Sequence, residues 1–343
     1  MEGFFSTVQR LNHPLDSLSE ASRQALVPSP PPAWVEPMLA TLTKDRFSDP
    51  DWIFERKLDD ERCLAFRSGS EVRLVSRNRK MLNSHYPEIA AALSDQAQPD
   101  FVVDGEIVAF TGSQTDFSRL QRRMQVSDPA LARRSGIAVF YYIFDIVHLD
   151  GFDLTSLALR DRKRLLKLSM SFNGPLRLMP HRNTAGEAYF SHACQSGWEG
   201  VVAKLAKSKY VHRRSPQWLK FKCQHGQEFV IGGFTDPRNS RLGFGALLLG
   251  YYRGSDFVYA GKVGTGFDER ILLELSQRLA ALEINRSAFT ADNPPRGARW
   301  VRPRLVGEVR FSEWTPDGRL RHPSFLGLRD DKVARNVIRE TAL

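Results

Sequence analysis

Residues 101–110 read Phe-Val-Val-Asp-Gly-Glu-Ile-Val-Ala-Phe, an apolar run suited to a buried strand and broken only by Asp104, Gly105 and Glu106. Carboxylates in a buried strand are costly unless a cation or a metal ion pairs with them. Period-two alternation puts Asp104 and Glu106 on one face, and Gly105 leaves room there for a ligand to approach. A chain built around this segment must therefore bring positive charge to that face. A bulged edge strand is the structural alternative.

The leading cation lies upstream. Trp52, Ile53 and Phe54 precede the charged stretch Glu55-Arg56-Lys57-Leu58-Asp59-Asp60-Glu61-Arg62, and Leu64, Ala65 and Phe66 follow it. Lys57 is thus expected at the wall of a core. A lysine amine attacks an electrophile only when neutral; partial burial and the neighbours Arg56 and Arg62 favour that form, while Asp59 opposes it. On these residues alone an ion-pair cluster at a strand end serves equally well.

Further segments repeat the theme of a polar group set in an apolar strand. Residues 72–78 alternate as a strand with Arg73 outward and end in Ser76-Arg77-Asn78, with a helix following over 86–94. Residues 140–147 are aromatic and aliphatic around the single acid Asp145, with Tyr142 and Phe144 sharing one strand parity. A basic amphipathic helix over 159–169 is expected to pack outside the sheet. Glu199-Gly200 opens a β-branched run, and Gln217 to Lys222 puts Trp218, Lys220 and Lys222 on one face with Leu219 and Phe221 on the other. Beyond about residue 227, Gly-rich strands over 228–235, 245–253 and 257–263 and a helix over 268–282 fit a small five-stranded barrel of the OB type.

With 343 residues the chain is long for one core and suits two domains. Its formal net charge of +10 favours polyanionic partners. Seven Lys or Arg and no acid fall between Lys204 and His225, and Arg119, Arg122, Arg123, Arg133 and Arg134 form a second cluster. Phosphate neutralisation is the natural use of such runs. No apolar run is long enough to span a bilayer, and residues 1–10 do not read as a secretory signal, so a cytoplasmic protein without membrane contact is expected. Cys63, Cys194 and Cys223 are odd in number and lack metal-ligand spacing, which argues against a disulfide framework and a zinc site. Residues 1–34, ending in a proline-rich stretch, read as a poorly ordered arm.

In order and spacing these segments resemble the ATP-dependent DNA ligases, a branch of the covalent nucleotidyltransferases. Lys57, Asp59 and Arg62 match the family's lysine motif, with Asp60 where the family has glycine. Residues 308–332 are similar to the end of the ligase module of bacterial non-homologous end-joining ligases, with Arg329, Asp331 and Lys332 as its Arg-x-Asp-Lys motif. The resemblance implies an α+β fold: an adenylation (nucleotidyltransferase) domain over 35–226, with antiparallel sheets and flanking helices, then an OB-fold domain over 227–343. It implies Lys57 as the nucleophile that takes AMP from ATP, and Glu55, Arg62, Arg77, Glu106, Phe144, Lys220, Lys222, Arg329 and Lys332 as nucleotide contacts. Phe144 would stack on the base, Glu106 and Glu199 would hold magnesium or manganese, and Asp104 would support Glu106. The basic residues Arg119, Arg122, Arg123, Lys207, Lys209, Arg213 and Arg214 become candidates for the duplex. The implied reaction is three phosphoryl transfers: to Lys57, to the 5′-phosphate of a DNA break, and from the adenylylated end to the 3′-hydroxyl. A swing of the barrel about residues 222–227 is implied with it, as are nicked or broken double-stranded DNA as substrate, the end-bridging protein Ku as a partner, a stand-alone monomer and a nucleoid-associated location. Two other classes fit less of the chain: an RNA-directed nucleotidyltransferase, and a catalytically degraded DNA-end-binding protein, for which Asp60 is the one sequence argument.

Overall fold

The computed structural model describes residues 13–58, 61–223, 225–237, 242–291, 294–295 and 297–341; Asp59 and Asp60 of the lysine stretch lie outside them. Two sheets build the part before residue 223. The first runs in the order Val27–Pro28, Phe152–Asp153, Val139–Leu149, Asp100–Thr111, Glu61–Ser68, Glu71–Ser76. The second runs His181–Asn183, Trp52–Lys57, Gly200–Leu205, Arg214–Lys222, Leu39–Leu42. All neighbours are antiparallel except Leu39–Leu42 beside Arg214–Lys222, and Leu176–Leu178, which flanks Val139–Leu149.

Alternation along the strands decides what lies between the sheets. In Asp100–Thr111, Val102 and Val108 pack toward the second sheet with Leu64, Phe66, Phe144 and Trp218, while Phe101, Val103, Ile107 and Ala109 pack away from it. Asp104 and Glu106 share the parity of Val102 and Val108, so the sequence pattern directs both carboxylates into the intersheet space. The outer face of the first sheet carries the helix Pro87–Ser94, and that of the second is covered by the helix Gly186–Gln195 over Phe54, Val201, Ala203 and Phe221.

Several expectations change. Residues 13–28 are not a loose arm: Leu15 and Leu18 are buried in the core, and Val27–Pro28 pairs with Phe152–Asp153. Apolar side chains within a polar stretch were enough to dock it. The helix Leu159–Ser169 does lie outside the first sheet, but Arg162 and Lys163 on it are buried. Gly105 makes room for the neighbouring strand and not for a ligand, because a Cβ there would stand 2.5 Å from the Tyr142 carbonyl and 2.6 Å from the Tyr141 ring. A register shift does occur between Asp104 and Gly105, but on a central strand and not at an edge. Finally, Cys194 and Cys223 form a disulfide, leaving Cys63 as the free thiol among the described residues. A separation of 29 residues and no special spacing gave no hint of this pair.

After residue 223 the strand His225–Phe234 runs the length of a barrel, pairing with Leu247–Arg253 on one side and with Val306–Phe311 and Arg299–Val301 on the other. Its aromatic and aliphatic core is plugged by Leu272, Leu275 and Leu279 of the helix Glu269–Ala280. With its short strands this sheet has seven members among the described residues, two more than the expected five. The barrel touches the first part through the helix Phe117–Met124: Ser118 Oγ donates to the Leu326 carbonyl (3.3 Å) and Gln121 Nε2 to that of Leu328 (3.1 Å). Gly327 permits this approach, since a Cβ would meet Gln121 Oε1 at 2.7 Å and the Phe117 ring at 3.1 Å.

Candidate active site

The site grows from the register of three strands. Gly200 lies opposite Lys57 on one side and Lys222 on the other. The glycine is required there, because a Cβ would fall 1.9 Å from the Phe221 carbonyl. The residue before it, Glu199, accepts an ion pair from the Lys57 ammonium. Two residues along each strand stand Glu55, Val202 and Lys220, and beyond them Lys204 and Trp218. These inward side chains form one wall of a cavity of about 360 Å³.

The first sheet supplies the opposite wall. Arg62 and Glu106 are direct cross-strand partners. Arg62 grips Asp104 through Nε (2.6 Å) and Nη2 (2.7 Å) and reaches Glu106 through Nη1 (3.3 Å). Burial opposes its charge, but Asp104 and Glu106 outweigh burial and push its pKa up. Tyr210 donates its hydroxyl to Asp104 Oδ2 at 2.7 Å, so the buried Asp104 is engaged by Arg62 and Tyr210 and does not line the cavity. Phe144 is only 4% exposed, with the Arg62 guanidinium 4.6 Å and the Lys204 ammonium 3.9 Å from its ring centre. Tyr142, of equal strand parity, packs on Phe110 and does not line the cavity. Arg77 does line it, its pKa lowered by burial against the attraction of Glu228.

A third wall comes from the barrel, where Glu228, Glu308, Arg329 and Lys332 face the same space. Arg329 is fixed by Asp331 (2.8 and 2.9 Å) and Glu308 (3.3 Å), with its guanidinium 4.9 Å from the Phe117 ring centre. Lys332 pairs with Glu228 at 2.8 Å. Burial resists ionisation of Glu228, but Lys332 and Arg329 hold its carboxyl well below the usual range.

In the cavity wall Glu55 is 2% exposed and joins Lys204 (2.7 Å) and Lys163 in one ionic cluster. Burial alone would neutralise Glu55, yet the two ammonium groups keep its pKa low. Lys204 is pushed down to about 8, burial outweighing Glu55. Glu55 is therefore engaged with cations of the protein on its visible sides, while still lining the cavity.

A divalent cation fits what is present. Glu106 Oε2 is buried and lacks a hydrogen-bond partner, and Glu199 lines the same cavity. No cluster of three or more His, Cys, Asp or Glu able to hold a metal occurs among the described residues. Two carboxylates with room for phosphate oxygens and water are the donor set magnesium takes with nucleotides.

The residues expected to meet DNA divide. Arg122, Lys207, Lys209 and Arg213 are exposed and Arg119 half-buried. Arg123 is fully buried on Glu88, with both contacts at 2.8 Å, and cannot reach a phosphate. Its charge is visible in the sequence, but it lies on the inward face of its helix with Phe117 and Leu120. Arg214 lines the cavity and donates to the Ala40 carbonyl. Sequence reasoning also missed the inward placement of Lys204, counted in a basic run assigned to phosphate neutralisation although it shares the strand parity of Val202. It missed Lys163 and Tyr210, and it missed Glu340, for which no signal existed.

Two mainly antiparallel sheets around a lysine-bearing cavity, completed by an OB-type barrel, define a nucleotidyltransferase. Residues 37–222 match the family model of the ATP dependent DNA ligase domain, and residues 240–332 that of the ATP dependent DNA ligase C terminal region. The chain belongs to the ATP-dependent DNA ligases. It is 38% identical over 316 residues to the multifunctional non-homologous end joining DNA repair protein LigD of Mycobacterium tuberculosis, covering 89% of this chain and 40% of that protein. Identity to LigD of Pseudomonas aeruginosa is 35% over 321 residues, 91% of this chain and 37% of the relative. A probable DNA ligase of Sorangium cellulosum is 32% identical over 316 residues, 88% of this chain and 57% of the relative. The chain thus spans about two fifths of the length of the LigD relatives. A solved mycobacterial DNA ligase D complexed with ATP and MES aligns with a TM-score of 0.64 and 35% identity, covering 89% of this chain and 98% of that one.

Proposed function

We propose that this chain joins 5′-phosphate and 3′-hydroxyl ends of duplex DNA with ATP, carrying adenylate on Lys57. One observation carries the reading: Lys57, Glu106, Glu199, Lys220 and Lys222 of the two sheets and Arg329 and Lys332 of the barrel all line a single cavity. Phosphoryl transfer needs in-line placement and charge neutralisation more than acid–base groups, and this lining supplies both.

In the first transfer the Lys57 amine attacks the α-phosphorus, and pyrophosphate leaves toward Arg329 and Lys332. Lys220 and Lys222 neutralise phosphate oxygens, and Phe144 together with the Arg62 guanidinium offers the base a stacking surface. Magnesium or manganese held by Glu106 and Glu199 would supply further neutralisation of phosphate charge. The amine must first leave Glu199 and lose its proton. AMP then passes to the 5′-phosphate of the break, and the 3′-hydroxyl displaces it. Residues 35–226 and 227–343 act as two bodies that close on the nucleotide and reopen on the duplex about residues 222–227, with Arg122, Lys207, Lys209 and Arg213 on the DNA side. A role in end joining in DNA repair is supported by the names of the LigD relatives; Ku at the ends, a monomeric state and a cytoplasmic location complete the proposal.

The test is sealing of a nicked duplex carrying a labelled 5′-phosphate, beside the same nick in RNA. Sealing of DNA that is lost in Lys57→Ala supports the proposal; sealing confined to RNA, or persisting in Lys57→Ala, overturns it.

A further inference from the structure

Residues 333 and 336–341 turn back across the cavity mouth after the Arg329 to Lys332 segment. Their backbone is fastened to the barrel. Tyr252 N donates to the Val337 carbonyl (2.7 Å), Gln227 Nε2 to that of Ile338 (3.3 Å), and the Arg339 guanidinium lies 4.2 Å from the Trp314 ring centre. Gln227 Oε1 then accepts the Glu340 amide (3.1 Å), which fixes where that side chain starts.

Glu340 is delivered onto the two lysines of the neighbouring strand. Its carboxylate bridges Lys222 (3.0 Å) and Lys220, and the three side chains are 20%, 10% and 13% exposed. Burial would raise its pKa, but Lys222 and Lys220 hold it down to about 2. Lys220 is still pushed down to about 8, because burial and the adjacent Lys222 outweigh the carboxylate. Two ammonium groups this close and this dry need an anion between them. A carboxylate that bridges two lysines presents the charge and the oxygen spacing of one phosphate group. It cannot share them with a phosphate.

We propose that Glu340 is a tethered phosphate surrogate: it occupies the phosphate subsite on Lys220 and Lys222, yields it to ATP, and returns when pyrophosphate leaves. This rests on the reading of those lysines as phosphate ligands. Its consequence is kinetic direction. In the reverse reaction a pyrophosphate oxygen attacks the phosphorus of lysyl-AMP, the phosphorus–nitrogen bond breaks, ATP forms and the amine regains a proton. Glu340 seated on the lysines opposes the attacking pyrophosphate by charge, in the same cavity as the Arg329 and Lys332 toward which it had left. Because the strap belongs to the barrel, opening of the barrel withdraws the surrogate.

The experiment compares the wild-type chain, Glu340→Gln and a chain ending at Arg339. It measures KM for ATP in lysine adenylylation and the rate at which added pyrophosphate strips preformed lysyl-AMP. Removing a competing occupant is expected to lower KM by about five- to tenfold and to speed stripping by a similar factor. Both gains should vanish when Lys220→Met is added to Glu340→Gln. Unchanged KM and stripping in both Glu340 variants, or an effect on melting temperature alone, overturns the proposal. The Lys220→Met and Lys222→Met single variants separate the two claims: weaker ATP and pyrophosphate binding in them, with silent Glu340 variants, removes only the surrogate. Undiminished binding in them removes the phosphate reading beneath it.

Discussion

Glu199 accepts the Lys57 ammonium across the gap between two strands held in register by Gly200. The pair joins the proposed nucleophile to a proposed metal ligand. An ion pair favours the charged amine, whereas attack needs the neutral one, so arrival of the nucleotide has to take Glu199 away from Lys57.

Loss of this carboxylate should therefore slow chemistry more than it harms folding. Glu199→Ala is expected to reduce single-turnover adenylylation by about a hundredfold or more, measured by quenched-flow with labelled ATP. With the Glu199 side chain 27% exposed, the melting temperature should barely move. An unfolded Glu199→Ala, or one with wild-type adenylylation, contradicts the assignment.

Glu55 should behave in the opposite way. Removing the anion from between Lys163 and Lys204 leaves two buried ammonium groups without their ion-pair partner. Glu55→Gln is expected to cost about 3–5 kcal/mol in urea unfolding. A loss below about 1 kcal/mol would mean that the cluster relaxes to water.

Glu61 carries a pH signature. Its carboxyl is pushed from 4.5 up to about 7 by burial, against the hydrogen bond from Tyr86 (2.5 Å) and with help from Asp331 of the barrel. Between those values the folded chain holds a proton that the unfolded chain has released. The resulting stability is complete below pH 4.5 and is lost as pH rises through about 7, at about 1.4 kcal/mol per unit. Glu61→Gln should flatten that slope in denaturant midpoints taken from pH 5 to pH 8. A slope equal to wild type would show that other groups set it.

Much of this was legible in the sequence because alternation fixes which face a strand residue occupies. Asp104 and Glu106 against Val102 and Val108, and Trp218, Lys220 and Lys222 against Leu219 and Phe221, could be placed before any coordinates. Charge runs were less informative, since a lysine or arginine count says nothing of direction. Lys204 and Arg123 point into the protein, and their burial depends on acids distant in sequence, Glu55 and Glu88. Glu340 and the Cys194–Cys223 pair were illegible for the same reason: each is a contact made by chain return, with no local period to announce it.

The disulfide ties the helix Gly186–Gln195 to the residue following Lys222. Closing a loop of 29 residues is worth about 3–4 kcal/mol in a chain-entropy model. Non-reducing peptide mapping should recover Cys194 linked to Cys223, and Cys194→Ser with Cys223→Ser should lower the unfolding free energy in urea by a matching amount. Two free thiols at these positions in protein purified under air would contradict it.

The whole scheme requires that one particular nitrogen become bonded to phosphorus. Incubation of the full chain with ATP and magnesium, followed by proteolysis and fragmentation mass spectrometry, should place a single AMP adduct on Lys57, absent from Lys57→Arg and removed by pyrophosphate. An adduct on another residue, or none under conditions where nicked DNA is sealed, would contradict it.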